Sequence, residues 1–225
     1  FQSPLIEAIA ILFMFLAGAN FSLHFVAWRS RSPRSYLNDP EFRTYFVILL
    51  VLTLTGAAYL TFTGHYPTIG ESGRHAAFHF VSFMTSTGFT ATGFDQWPGA
   101  LPLTLILVSF IGGCAGSTGG GMKEVRWLLL YNQGVREVKR LVHPAAEIPV
   151  RLGGSVVPQR VIEAVWGFCV VYIILFGVML LILAGSGVDQ VTACSALATS
   201  INNMGPGLGK VVADFMIVSI DVHQV

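Results

Sequence analysis

Two short stretches set the chemistry to be explained. Residues 84–96 read MTSTGFTATGFDQ and residues 199–209 read TSINNMGPGLG, inside a chain that is 53% hydrophobic and 11% charged. Neither offers a nucleophile beside a base. What they offer is backbone: glycines, neutral hydroxyls and peptide carbonyls that no helix has claimed. Non-helical backbone at membrane depth survives only against protein or along a water-filled path. Carbonyls turned toward such a path can replace the hydration shell of a cation. Glycine allows the backbone conformation and leaves no side chain in the way. A bare carbonyl site suits a large, weakly hydrated ion such as K⁺, because Mg²⁺ and Ca²⁺ demand carboxylates or retained water.

A third stretch, GGCAGSTGGGMKE at 112–124, has the glycine content of a phosphate-binding loop. That loop needs lysine directly after glycine and Ser or Thr after the lysine. Here Met122 intervenes and Glu124 follows Lys123, so nucleotide binding is not expected. Nothing pairs a histidine with Ser117 as an intramembrane hydrolase would require. His75 and His79 are four apart and share a helical face, but no glutamate completes a zinc-protease motif; they read as packed, hydrogen-bonded histidines. Cys114, Cys169 and Cys194 lie in apolar segments without pairing or ligand spacing and read as small buried hydrophobes. No reaction is expected, and no bound cofactor.

These stretches need elements to hold them. Mean hydropathy is +0.67, and charge is far below the roughly 25% of soluble domains, so the composition is that of an integral membrane protein. The net charge of +1 gives no reason to expect nucleic acid. Four apolar runs are long enough to span: Pro4 to His24, Thr44 to Phe62, a broken run from Trp97 to Tyr131 interrupted by the 112–121 glycines, and Val161 to Ala184. Asn20 and His24 share a face near the end of the first. Two runs, 76–84 and 191–198, are too short to span, and each leads into one of the two opening stretches.

Eleven of the thirteen basic residues fall between the first and second runs or from Lys123, late in the third run, up to the fourth. By the positive-inside rule those connections are cytoplasmic, with RSRSPRS acting as a topology determinant. Both short runs then enter from outside and return to the same side, as re-entrant helices whose negative C-terminal ends point at the middle of the membrane. NQGVREVKRLVHP reads as a basic cytoplasmic connector, either solvated or meeting anionic lipid or a partner.

The order repeats. The runs 4–18 and 98–112 both begin with Pro and end with Gly, and Ser-Gly at 72–73 and 186–187 are followed at equal distance by Thr-Ser at 85–86 and 199–200. The unit is outer helix, short pore helix, polar loop, inner helix. Residues 1–42 hold the inner helix of one unit and a cytoplasmic linker; 43–131 hold a complete unit; 132–160 form a connector; 161–225 begin a further, truncated unit. Starting at Phe1 inside an apolar run, the chain is expected to be part of a longer protein.

TSTGFTATGFD, GGCAGSTGGGMK, REVKRLVHP, EAVWGF and TSINNMGPGLG, in this order, resemble the Trk/Ktr/HKT superfamily of potassium transporters, in its TrkH branch. The resemblance runs to about Gly209; DFMIVSIDVHQV does not read like the family's continuation. It implies an all-α, K⁺-channel-like membrane fold with four repeats around one pore. It also implies a homodimer in the bacterial inner membrane and a TrkA-type cytosolic nucleotide-binding partner. The filter residues it implies are Ser86, Thr87 and Gly88 in the complete repeat, and Asn202, Asn203, Met204 and Gly205 in the last. The intramembrane gate loop it implies comprises Gly112, Gly113, Gly116, Ser117, Thr118, Gly119, Gly120 and Gly121. TGF occurs twice, at 87–89 and 92–94, and a gap-free overlay of the repeats sets Gly88 against Asn202 where the family pattern sets it against Gly205. Two other readings remain: a secondary transporter coupled to H⁺ or Na⁺, or a truncated product that only inserts.

Overall fold

The computed structural model describes residues 3–144, 146 and 148–211; the stretch 212–225, with DFMIVSIDVHQV, lies outside them. The described chain is helical apart from one small hairpin. In order come α1 (Pro4–Ala17), α2 (Phe21–Ser30), α3 (Arg34–Asn38), α4 (Pro40–Phe62), α5 (Ile69–Met84), α6 (Leu101–Ile111), α7 (Glu124–Val142), α8 (Gln159–Gly185) and α9 (Gln190–Ile201). The hairpin pairs β1 (Arg151–Leu152) with β2 (Ser155–Val156), antiparallel, between α7 and α8.

Local chemistry sets the helix starts. Pro40 occupies the first turn of α4, where a missing N–H costs nothing, and Asp39 accepts the Phe42 N–H at 2.7 Å. Thr68 caps α5 through the Glu71 N–H and Asp189 caps α9 through the Thr192 N–H, at 3.2 and 3.0 Å. That Thr192 N–H holds the Asp189 carboxyl below the usual carboxylate range, so the cap is ionised at neutral pH.

The centre of the fold is α5. Its Phe78, Phe80, Phe83 and Met84 are fully buried, among α1, α4 and α6. Gly56 lets α4 come close: a Cβ there would strike the Phe80 ring. Small residues at such crossings are how membrane helices approach each other. A second, smaller cluster joins Met122, Leu129, Val150, Ile162, Val165 and Cys169 where α7 meets α8. The rest of α8 is apolar all round, with Val171, Ile173, Leu181 and Ile182 exposed, as a helix against lipid or further protein would be.

Among the described residues, two helices, α4 and α8, are long and apolar enough to cross a membrane. The first expected span is not one helix: α1 and α2 meet at 97° across Gly18, Ala19 and Asn20. Asn20 does not share a helical face with His24; it caps α2, accepting the Ser22 N–H at 2.9 Å. His24 fixes the corner, with Nε2 2.9 Å from the Leu16 carbonyl and Nδ1 2.7 Å from the Tyr36 hydroxyl. The interrupted third run does break after Ile111, but its second half continues as helix past Tyr131 to Val142, across the expected connector boundary. Of the three cysteines, Cys114 and Cys169 are buried, whereas Cys194 is exposed on α9, contrary to its reading as a buried hydrophobe.

Candidate functional site

The half-helices α5 and α9 end in the same way. After α5, the Ser86 N–H donates to Phe83 O and the Thr87 N–H to Ser82 O; after α9, the Asn203 N–H donates to Ser200 O and the Met204 N–H to Thr199 O. These are paired five-to-two and six-to-one bonds around a left-handed residue. Ser86 has φ 55° and Asn203 φ 53°, and glycines with positive φ follow, Gly88 at 76° and Gly205 at 102°. A left-handed serine costs about 1–2 kcal/mol, and strain of this kind collects at functional sites. Ser86, Thr87 and Gly88 therefore superpose in role on Asn203, Met204 and Gly205. Asn202 corresponds to Thr85, the last residue before the turn.

The two loops lie side by side. A Cβ on Gly88 would strike the Met204 carbonyl oxygen and come within 3.0 Å of Pro206 Cδ. A cavity of about 310 Å³ opens beside Asn203, Met204 and Gly205. The first loop is tied internally: the Thr85 and Thr87 hydroxyls are 2.8 Å apart, and Ser82 Oγ donates to Phe89 O at 2.7 Å. The second is tied from outside. Asn202, fully buried, accepts from the Tyr172 hydroxyl at 2.6 Å and donates to Ser109 Oγ at 2.9 Å. The other TGF turns away from this meeting point. Gly93 has φ −68° and leads into the short 3₁₀ turn Phe94–Gln96, whose Phe94 packs edge-on against Phe83 at 5.0 Å. His79 joins that packing, Nδ1 2.8 Å from His75 O and Nε2 3.3 Å from Thr92 O. No group of three or more metal-ligating side chains occurs among the described residues.

The stretch 112–123 between α6 and α7 is a closed loop. The Met122 N–H returns to Phe110 O at 3.0 Å and the Glu124 N–H to Gly113 O at 3.1 Å, so the neck is pinched. Gly112, Gly116, Gly121 and Lys123 all have positive φ. The loop presses on both half-helix ends: a Cβ on Gly119 would lie 2.7 Å from Thr85 O, and one on Gly120 would strike Asn202 O. Its N–H groups also meet the corner between α1 and α2. Cys114 donates to Gly18 O at 2.9 Å and Thr118 to Ala17 O at 3.3 Å, while the Phe21 N–H donates to Gly116 O at 3.2 Å. The bend thus exists because the orphan carbonyls at the end of α1 find partners in the loop. Lys123 Nζ folds back onto Ser117 O, Ser117 Oγ and Gly119 O at 3.0, 3.1 and 2.6 Å.

All the sequence-derived candidates are thus brought into one region, with the glycine loop against the ends of both half-helices. Sequence reasoning missed Glu41, which accepts the Ala115 N–H, and Tyr172 and Ser109 around Asn202. A charge in the first turn of α4 and a hydroxyl in each of two apolar runs were the only signals.

Residues 1–223 match the family described as TrkH, cation transport protein. The chain is 46% identical over 96% of its length to the Trk system potassium uptake protein TrkH of Halomonas elongata, of which it covers 44%. It is 42% identical to the protein of that name from Escherichia coli, of which it also covers 44%. The crystal structure of the potassium transporter TrkH from Vibrio parahaemolyticus superposes with a TM-score of 0.88 at 47% identity, over 94% of this chain and 46% of that one. The chain thus spans a little under half the length of the relatives it matches.

Proposed function

The chain belongs to the TrkH family of cation transport proteins, and we propose on that premise that it is part of the pore of a K⁺ uptake system in a bacterial inner membrane. The observation that carries the reading is the pair of half-helices, both closed by a left-handed residue and a positive-φ glycine, with their loops in contact. In this reading the carbonyls of Ser86, Thr87 and Gly88, and of Asn203, Met204 and Gly205, supply part of a ring that replaces water around K⁺. Two further loops come from the rest of the protein, outside this chain. The negative ends of α5 and α9 add to the attraction for a cation. The loop 112–121 is the gate, because it lies against the filter ends and its backbone is held by a few polar ties. A TrkA-type cytosolic nucleotide-binding subunit and a second copy of the protein are its partners, and no catalysed reaction is involved.

The test is K⁺ and Rb⁺ uptake by the complete protein in cells lacking their own K⁺ uptake, with and without the cytosolic subunit, together with single-channel recording. Passive, Rb⁺-permeable, Na⁺-poor currents support the pore. Flux stoichiometrically tied to H⁺ or Na⁺ would make it a coupled transporter instead.

A further inference from the structure

We propose that Glu41 is the latch of the glycine loop: a positioning residue on α4 that holds the loop neck in place. The inference rests on the reading of 112–121 as a gate.

An acidic residue in the first turn of a helix ordinarily sits in solvent and complements the helix's own N-terminus. Glu41 is instead 7% exposed and turned to the loop. Its Oε1 accepts the Ala115 N–H, a partner 74 positions away. Ala115 lies on the outgoing limb of the loop. One side chain from a third element therefore ties that limb to α4. Lys123, beside the same neck, does not do this work: its Nζ is committed to Ser117 and Gly119.

Beyond the backbone bonds at its neck and to the corner of α1 and α2, the loop has little to fix it. Six of the ten residues 112–121 are glycine, and the only apolar side chain it buries is the small one of Cys114. A segment with few apolar contacts opens at low free energy unless polar ties hold it. The tie is also placed to be moved. Glu41 follows Pro40, against which the β1–β2 hairpin rests; a Cβ on Gly153 would lie 3.0 Å from Pro40 Cγ. Displacing that surface displaces the latch.

The experiment uses the complete protein with every cysteine except Cys114 replaced by serine. Cys114 is 1% exposed and neighbours Ala115, so its rate of alkylation by N-ethylmaleimide reports opening of the loop neck. Losing the hydrogen bond that Glu41 accepts should speed labelling about tenfold in E41A. Partner-independent Rb⁺ flux should rise in the same variant, with the Rb⁺/Na⁺ ratio unchanged. E41D, which keeps the carboxyl group but withdraws it by one methylene, should fall between wild type and E41A, and it carries the test on both readouts if E41A does not fold. A wild-type labelling rate in folded E41A overturns the proposal. So does raised flux with lost selectivity, which would make Glu41 a support of the filter. If even the wild type passes no Rb⁺, the gate reading fails, while the labelling rates still decide whether Glu41 latches the loop.

Discussion

Gly88 carries two constraints at once, a φ of 76° and backbone of the neighbouring loop where a Cβ would go. The first costs a non-glycine residue about 1–2 kcal/mol; the second cannot be relieved by rotating a side chain, because the obstacle is the Met204 carbonyl. Gly205 has only the first constraint, with open space around it, and Gly93 has neither a positive φ nor a backbone obstacle. Gly88→Ser should therefore reduce K⁺ over Na⁺ discrimination in the complete protein far more than Gly93→Ser, as permeability ratios would report. Equal losses would mean that the second TGF shares the filter. Spacing alone left this choice open, with only the family resemblance favouring Gly88, because the tripeptide occurs twice and letters do not carry φ. Asn202 supplies the second argument at this scale. It is held by Tyr172 and Ser109 from two different helices, and Tyr172→Phe leaves its buried Oδ1 without that donor, at about 1–3 kcal/mol. The expected result is a lower melting temperature of the purified protein and weaker selectivity. Unchanged values for both would make the tyrosine hydroxyl incidental. No pattern pointed to Tyr172, since one aromatic hydroxyl in an apolar run looks like any lipid-facing position.

Among the elements, those defined by composition were legible and those defined by docking were not. α4 and α8 are long uninterrupted apolar runs, and the half-helices α5 and α9 ended close to where the polar loops begin. The bend between α1 and α2 was invisible to hydropathy because the chain stays apolar on both sides of it; its cause is a loop about a hundred positions later whose N–H groups take the carbonyls of Ala17 and Gly18. α7 runs beyond Tyr131 because it changes environment without losing helical bonding. Its polar end is braced by Arg136, Glu137 and Arg140, whose charged groups meet at 3.1 and 3.6 Å. The α4–α5 crossing gives this scale its prediction. Gly56→Leu would place a side chain where the Phe80 ring lies, and overpacking of a tight core costs about 1–3 kcal/mol. Because α5 positions the first loop, reduced thermal stability should be accompanied by reduced selectivity. A stability loss with intact selectivity would show that the loop is held without α4.

At the scale of the molecule, one segment touches nearly everything that matters. The loop 112–121 meets the corner of α1 and α2, the carboxylate of α4 and the ends of both half-helices. Its own backbone is poor in intrinsic stiffness, since each glycine costs a helix about 1 kcal/mol relative to alanine. A segment so placed can be a gate, a brace for the filters, or a joint, and the three differ in what its removal does. Excising Gly116–Gly120 removes the part against Thr85 and Asn202. It leaves the pinched neck, where Met122 returns to Phe110, and the Glu41–Ala115 contact. The limbs of the loop run close at its base, where a Cβ on Gly112 would lie 3.4 Å from Gly121 Cα, so a short splice should leave the fold intact. A gate in that position blocks ions by occupying their path, and a partner need bias it by only a few kcal/mol to change its population substantially. Excision should then raise Rb⁺ flux in the absence of the cytosolic subunit, abolish the response to that subunit, and keep the Rb⁺/Na⁺ ratio, because both filter loops hold their own turns through Ser82, Phe83, Thr199 and Ser200. If flux rises but the ratio collapses, Gly119 and Gly120 are bracing the Thr85 and Asn202 carbonyls rather than closing the pore. Unchanged flux and an unchanged response in a correctly folded protein would leave the loop a flexible joint and put the barrier to ions in another part of the protein.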